Sequence, residues 1–540
     1  MKIRLSLIYA VASSLVLVNS VSSHAEVKDA YSPNAQFNLS DLQSGDKSDR
    51  IGFTVSGESV TTTTTKLSVQ PPGVAEGETR GNWADCESTQ DPTCDFANAG
   101  YNGEKGKVGI MGWIVLPVCP DATSMNCIQS FEISNQGNEF ESANFLKYID
   151  GPITPPDTSK KYLGGGSVGL WSDSGLTGSQ NQQYMVLLGY GTGYNPATKV
   201  FDLSELNLVV RPYRVQTGNF RAPYFDKDDK GQKYIVSSTP ANGAEIWFDT
   251  GKAGLLVDFP ENVKFRIKAR VTNTIAGWFK GRIKNPTVSI ESFNSSNNLL
   301  SVEGEPVKVP TFLHIKERKS LTKKEYQWMQ NNGGTGTITN ATSYQMDIFE
   351  YLEHFRPLVN DTASGVNTFW SLNSTSWGND SPCLTDSKRV IGVVSTNAMG
   401  YNGFSPRYED GTLNYQVAGM HYMPDGVTLV EGTYDLLMRS DAARCLYGFS
   451  EAPVQATISI TGEQSQKLAV TSMTEGNGWI KLSAYGFNFS TPTIKVKLTQ
   501  AKAASPVVAQ KKKSITCVKG KTVKKVAGVN PKCPTGFRKR

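Results

Sequence analysis

The residues whose types and spacing could do chemistry are a serine set among glycines, three late histidines, a short run of aspartates and eight cysteines. Gly165-Gly-Ser167-Val-Gly169 matches the G-x-S-x-G pattern of a nucleophile elbow, and His314, His354 and His421 follow it in the chain. An elbow must join a strand to a helix so that the hydroxyl stands exposed above the sheet. Leu170-Trp-Ser-Asp-Ser-Gly175 is no helix start, so a glycine-rich turn is the better reading. Gly189-Tyr-Gly-Thr-Gly193 resembles a phosphate loop only in its glycines. No lysine follows at the P-loop position, and a hairpin turn is expected instead.

Asp226-Lys-Asp228-Asp229-Lys-Gly231 is the best metal candidate, because carboxylates at alternate positions ahead of a glycine can wrap Ca²⁺. Lys230 stands at a ligand position, however, and Ser237 stands where a bidentate glutamate would close the loop. A solvated acidic turn is therefore preferred over a site at Asp226, Asp228 and Asp229, and no cofactor is expected. The 49 acidic residues offer many carboxylate pairs for glycoside hydrolysis, but the sequence singles out none.

The cysteines fall into neighbours: Cys86 with Cys94, Cys119 with Cys127, Cys517 with Cys533, and Cys383 left for Cys445. Zinc ligands usually come as Cys-x2–4-Cys or with nearby histidine, and neither occurs. The even count points to disulfides in an oxidising compartment, although spacing alone does not fix connectivity. The N-terminus agrees with export. Lys2 and Arg4 precede an apolar stretch from Leu5 to Val18, and Ser23 and Ala25 flank His24. That order reads as a signal peptide over 1–25, cleaved before Glu26. The stretch is short for a membrane span, and no later segment suggests a transmembrane helix in the mature chain.

Charge is uneven along the chain. Residues 501–540 hold 12 of the 55 basic residues and none of the 49 acidic ones. Residues 1–25 hold 2 basic and no acidic residues, which leaves 41 against 49 for 26–500, a net −8. Lys511, Lys512, Lys513, Lys519, Lys521, Lys524, Lys525, Lys532, Arg538, Lys539 and Arg540 are the candidate polyanion-binding set. Such a tail is drawn to anionic polymers in a salt-dependent way. A charge run identifies no partner by itself, and a solubilising tail is the alternative.

The elements that must position these groups are mostly strands. Val263, Phe265, Ile267, Ala269 and Val271 alternate with Lys264, Arg266, Lys268 and Arg270, the pattern of a strand with one wet face. Ile494, Val496 and Leu498 alternate with Lys495 and Lys497. Further strands are expected at 184–190, 206–215, 287–292, 389–396, 413–419, 433–439, 455–461, 467–473 and 478–484. One helix is expected over 342–355, with Thr342 and Gln345 as a capping box, a stripe of Met346, Phe349, Leu352 and Phe355, and Pro357 to stop it. The stretch 316–341 reads as a loop. The expectation is a mainly β, multi-domain, β-sandwich-like body with few helices and a short basic disulfide-bonded tail. The parts are a β-rich region over 26–258, a second over 259–500, a linker over 501–513 and the tail over 514–540.

The tail Ser514-Ile-Thr-Cys-Val-Lys-Gly-Lys521, then Lys524-Lys-Val526 and Asn530-Pro-Lys-Cys-Pro-Thr-Gly536, resembles a C-terminal module common on exported actinobacterial proteins. The body is similar to a family of uncharacterised secreted proteins from that phylum. Gly277-Trp-Phe-Lys-Gly-Arg-Ile283, Tyr434-Asp-Leu-Leu-Met-Arg-Ser440, Arg444-Cys-Leu-Tyr-Gly-Phe449 and Gly478-Trp-Ile-Lys-Leu-Ser-Ala-Tyr-Gly-Phe487 carry that resemblance. It runs from about residue 83 onward, leaves out 220–245, and implies a secreted or envelope protein with no stated activity.

Two functions fit these observations. One is a non-enzymatic surface protein, adhesive or glycan-binding, held by its tail to an anionic wall polymer or glycan and specific for no nucleic acid. The other is a secreted polysaccharide hydrolase on a β-scaffold. The first is favoured because no catalytic constellation declares itself.

Overall fold

A computed structural model describes residues 49–540 except 57–62, 74–82, 102–103, 174–181, 230, 237–244, 273–276, 332–337, 346, 376–380, 386–388, 451–453, 462–469, 490–492, 501–512 and 529. The leader over 1–25 and nearly all of the 501–513 linker lie outside the described residues.

The chain is mainly β, with several sheets. The longest ladder runs through Lys66–Gln70, Gly109–Val115, Gln183–Asn195, Val200–Thr217, Gly365–Thr375 and the first part of Gly277–Asn294. It continues through Val390–Thr396, Gly432–Arg439, Trp479–Phe487 and Val470–Gly476. Its pairs are antiparallel except Gly277–Asn294 with Val390–Thr396, which run parallel. A second sheet faces it, formed by Cys127–Asn135, Val263–Thr272, Asn297–Thr311 and the later part of Gly277–Asn294. The two join where Gly277–Asn294, Asn297–Thr311 and Gly365–Thr375 pair mutually, so the ladder closes on itself.

Alternation explains what lies between them. Phe265, Ile267 and Ala269 point inward with Phe131, Trp171, Tyr184 and Trp370, while Lys264, Arg266 and Lys268 stay on the wet face. A second core forms on the far side of Val390–Thr396, Gly432–Arg439 and Trp479–Phe487. There Leu436, Ile480 and Leu482 meet Tyr415, Ile494 and Val496 from another sheet. A third core packs helices against a three-stranded sheet in which Arg50–Ser56 pairs with Leu313–Glu317 and Ile338–Thr342. Ladders therefore tie 26–258 to 259–500 at several places, Cys127–Asn135 with Val263–Thr272 among them.

Each expected strand coincides with an observed one to within a residue at its ends (Arg389, Gly419 and Gly478 fall just outside), and residues 467–469 lie outside the described set. Three local readings need correction. The helix expected over 342–355 is Ile348–Phe355. Thr342 and Gln345 do form the anticipated backbone-to-side-chain bond, the Thr342 N–H donating to Gln345 Oε1 at 2.7 Å. Thr342 ends a strand, however, so the pair closes a turn rather than opening a helix. The stretch 316–341 is not a plain loop, because it carries the helix Lys323–Asn331. Thr322 and Glu325 cap it reciprocally, at 2.7 and 3.2 Å. Finally, Gly189–Gly193 lies inside the strand Gln183–Asn195 and makes no turn. A Cβ at Gly189 would come within 2.6 Å of the Ile114 carbonyl oxygen, so this glycine lets two strands approach.

Disulfides join Cys86 to Cys94, Cys119 to Cys127, Cys383 to Cys445 and Cys517 to Cys533. Among the described residues, no helix is long and apolar enough to cross a membrane.

Candidate functional site

The C-terminal segment folds into its own three-stranded sheet. Lys513–Lys519 lies in the middle, with Thr522–Gly528 on one side and Arg538–Lys539 on the other. Lys519 pairs with Thr522, so Gly520 and Lys521 form a two-residue hairpin turn, and Gly520 has the positive φ of 57° that such a turn requires. Lys513, placed in the linker by composition, opens the central strand.

Register divides the cations between two faces, because residues directly opposite in a ladder share a face. On one face stand Cys517, Lys524 and Lys539, in the same alternation as Lys513 and Lys519. The 530–537 loop packs over its middle at Cys517, while Lys513, Lys519, Lys524 and Lys539 stay exposed. Cys533 is bonded to Cys517, the Phe537 ring lies 5.5 Å from Lys524 Nζ, and Lys519 Nζ lies against Gly536.

The other face carries Lys525 opposite Thr516, and Val523 and Arg538 opposite Val518. Arg540 follows Arg538 in register, its N–H donating to the Thr516 carbonyl at 2.9 Å. Lys525, Arg538 and Arg540 are all exposed. Strand geometry puts Arg538 and Arg540 about 7 Å apart and Lys525 about 10 Å across the sheet from Arg540. Lys521 and Lys532 are exposed at the turn and loop, and Lys511 and Lys512 lie outside the described residues. The surface is a shallow cationic face around Thr516 and Val518, and residues 501–540 contain no Asp or Glu side chain to neutralise it.

The other candidates resolve differently. Ser167 is buried and bridges Thr64, and the strand Gly169–Ser172 follows it, so no elbow exists. His354 Nε2 lies 3.0 Å from Glu325, and His421 Nδ1 lies 3.2 Å from Asp361. His314 is held below its ordinary value, mainly by burial. Burial pushes Glu325 up, but hydrogen bonds from Lys316, the Thr322 backbone and His354 prevail and bring it down to about 2. These are structural partners around the third core.

Asp226, Asp228 and Asp229 sit on a hairpin between Tyr224–Lys227 and Lys233–Val236. The Asp228 carboxylate accepts the Gln232 N–H at 2.8 Å and that of Asp226 accepts the Lys227 N–H at 2.8 Å, so two of the three are engaged by their own turn. Lys230 and Ser237 lie outside the described residues, and among those described no group of three or more metal-ligating side chains occurs.

The composition pointed to no single acid pair, and among the described residues the fold brings Asp150 and Asp249 into contact. Asp150 and Asp249 hydrogen bond to each other, which raises Asp150. Lys147 bonds to Asp249 and lies 4.0 Å from Asp150. Carboxyls in contact leave no room for a glycosidic bond, which needs them roughly 5–10 Å apart. Sequence reading also passed over a buried carboxyl, Asp435, at 0% exposure. Its signal was the alternation of Lys481, Ser483 and Tyr485 opposite it, polar residues on a strand whose other face holds Ile480, Leu482 and Ala484.

No protein-family model matches this chain, and no curated sequence is significantly similar to it.

Proposed function

We propose that this chain is an exported, non-enzymatic surface protein held to an anionic polymer outside the cell by its C-terminal module. The observation that carries the reading is the exposed face of Lys525, Arg538 and Arg540 on a disulfide-tied sheet with no Asp or Glu of its own. A rigid sheet holds cations in one plane before the ligand arrives, which lowers the ordering cost that a disordered lysine run would meet on binding. The net −8 of residues 26–500 keeps the rest of the chain off the same polymer. Four disulfides and the leader-like N-terminus support export, and the resemblance of the tail supports an envelope setting.

The test is sedimentation of the protein with isolated cell walls and with a soluble anionic wall polymer, across a salt series. The full chain should co-sediment at low salt and release as salt rises. A chain ending before residue 513 should remain in the supernatant, and retention equal to that of the full chain would overturn the reading.

A further inference from the structure

The strand Gly277–Asn294 leaves one sheet and enters the other through an irregularity between Lys284 and Thr287. Asn285 sits at that corner with φ 53°, a left-handed conformation that asparagine tolerates and that re-aims a side chain. Its carboxamide Oδ1 contacts Lys481 Nζ from the strand Trp479–Phe487. The two residues are 196 positions apart in the chain.

Behind this contact lies Asp435, fully buried on the neighbouring strand Gly432–Arg439. Its Oδ2 accepts the Asn285 backbone N–H at 3.0 Å. Its Oδ1 accepts from Ser483 Oγ at 2.5 Å and from the Tyr485 hydroxyl at 2.7 Å. Asp435 stands opposite Ser483, two residues from Lys481 on the same face, so the carboxyl and the amine are diagonal neighbours about 7 Å apart at Cβ. The amine and the carboxamide thus touch at the exposed side of this corner, and the buried carboxyl lies beneath them, bonded to the Asn285 backbone.

We propose that Lys481 and Asn285 are joined by an intramolecular isopeptide bond that the folded protein forms on itself, with Asp435 relaying the proton. The Nζ lone pair attacks Asn285 Cγ, forming the C–N bond. The proton shed by Nζ passes to Asp435 as the carboxyl gives its own proton to Nδ2. The Cγ–Nδ2 bond breaks, ammonia leaves, and Asp435 ends with the proton it received. No oxidant, metal or cofactor is consumed.

The corner favours the protonation states this step needs. Attack requires a neutral amine, and a relay requires a carboxyl that still holds its proton. Burial lowers Lys481 from the ordinary lysine value, opposing the neighbouring Asp435 charge. Burial also raises Asp435, against the hydrogen bonds from Ser483, Tyr485 and Asn285. A simple ion pair would move both groups the other way. Lys264, Glu303 and Glu305 also act on Lys481, and Lys284 lies 5.3 Å over the Tyr485 ring. The bond would clamp the strand Trp479–Phe487 to the corner where Gly277–Asn294 changes sheets, in a chain we read as working outside the cell.

Mass spectrometry of the purified full chain after reduction tests this. The expected result is a mass one ammonia lighter than the sequence of the same chain, with residues 285 and 481 recovered in one branched peptide after trypsin. Lys481→Arg should restore the full mass and, after reduction, migrate more slowly in a denaturing gel, because the internal loop is gone. Asp435→Asn keeps acceptors for Asn285 and Ser483 but cannot relay a proton, so it should also restore the full mass while its circular dichroism matches the parent. Linear peptides carrying unmodified Asn285 and Lys481 would overturn the bond, and a branched peptide from Asp435→Asn would overturn the relay.

Discussion

On the strand Val263–Thr272, Lys264, Arg266, Lys268 and Arg270 alternate along one side, much as Lys525, Arg538 and Arg540 share the open face of the C-terminal module. The first row comes with its acceptors. Arg266 lies 2.9 Å from Glu132 and 3.0 Å from Glu303, Lys268 lies 2.8 Å from Glu132, and Lys264 lies 3.7 Å from Glu305. Arg270 donates to Gln129 and to the carbonyls of Asp121 and Ser124 at 2.8–3.1 Å. Burial pushes Glu132 up, yet Lys268, Ser130 and Arg266 together hold it below the ordinary glutamate value. The module contains no carboxylate side chain at all. The two cationic rows therefore do different work: one stitches a sheet together, and the other keeps its attraction for something outside the chain.

The largest effect should come from removing the module's cations. Near an anionic surface each cation is worth on the order of 1 kcal/mol, so Lys525→Ser, Arg538→Ser and Arg540→Ser combined should weaken polymer binding about 100-fold. Lys264→Ser, Arg266→Ser and Lys268→Ser combined should leave binding within about twofold, because those charges are already committed. Equal losses in the two triple variants, measured by titration against one anionic polymer, would erase the distinction between the rows.

Acid separates the two regions next. Glu325 is fully buried and depressed to about 2 in the folded state. A depressed carboxylate contributes stability above its unfolded value, near 4.3, and that stability is lost as pH falls toward the folded value. Glu325 should therefore cost the body roughly 2–3 kcal/mol between about pH 4 and about pH 2, read by urea unfolding. Glu325→Gln should flatten that part of the pH profile; an unchanged slope would remove Glu325 from the account. The module has no carboxylate side chain to protonate, so its sheet should persist over the same range.

A single substitution sharpens the contrast further. Arg266→Ala leaves Glu132, 8% exposed, with one cation fewer and Glu303 without its guanidinium. The cost should be roughly 1–2 kcal/mol by denaturant unfolding, because buried acceptors lose charged donors. Arg538→Ala should cost under about 0.5 kcal/mol of stability, as expected for an exposed side chain with no acid in its own segment. Similar costs would mean that the module's arginine is also structural.

Much of this was legible in the sequence, and the failures have physical causes. Val263–Thr272 could be read because alternation and burial coincide from Val263 to Ala269, although Arg270, expected on the wet face, is buried. The tail's charge could be read because it is contiguous. Its division between a face that carries the 530–537 loop and a face left bare could not, since that depends on ladder register and on where the loop lies. Two capping-box patterns were present, Thr322 with Glu325 and Thr342 with Gln345. Both form their bonds, but only the first opens a helix, because Trp328 and Met329 then bury against the third core. The glycines of 189–193 have the composition of a turn, yet Gly189 and Gly191 instead let neighbouring strands approach, which no local pattern encodes. Asn285, Asp435 and Lys481 meet only after strands more than a hundred residues apart have paired.

The smallest expected effect is the most diagnostic of how the open face works. Arg538→Lys keeps the charge but replaces a planar fork with a single ammonium. Should the face act as a set of point charges facing a polymer, binding ought to change by less than about threefold, with the salt dependence unaltered. A bidentate contact with a carboxylate or phosphate would instead lose a shaped pair of hydrogen bonds, and the loss should reach tenfold or more. Three cations on a shallow sheet, with Thr516 and Val518 between them, offer no walls to fix an anion's orientation. The smaller change is therefore expected, and calorimetry of parent and variant at two salt concentrations decides it. A tenfold loss that survives high salt would turn the tether into a site that recognises the geometry of its anion.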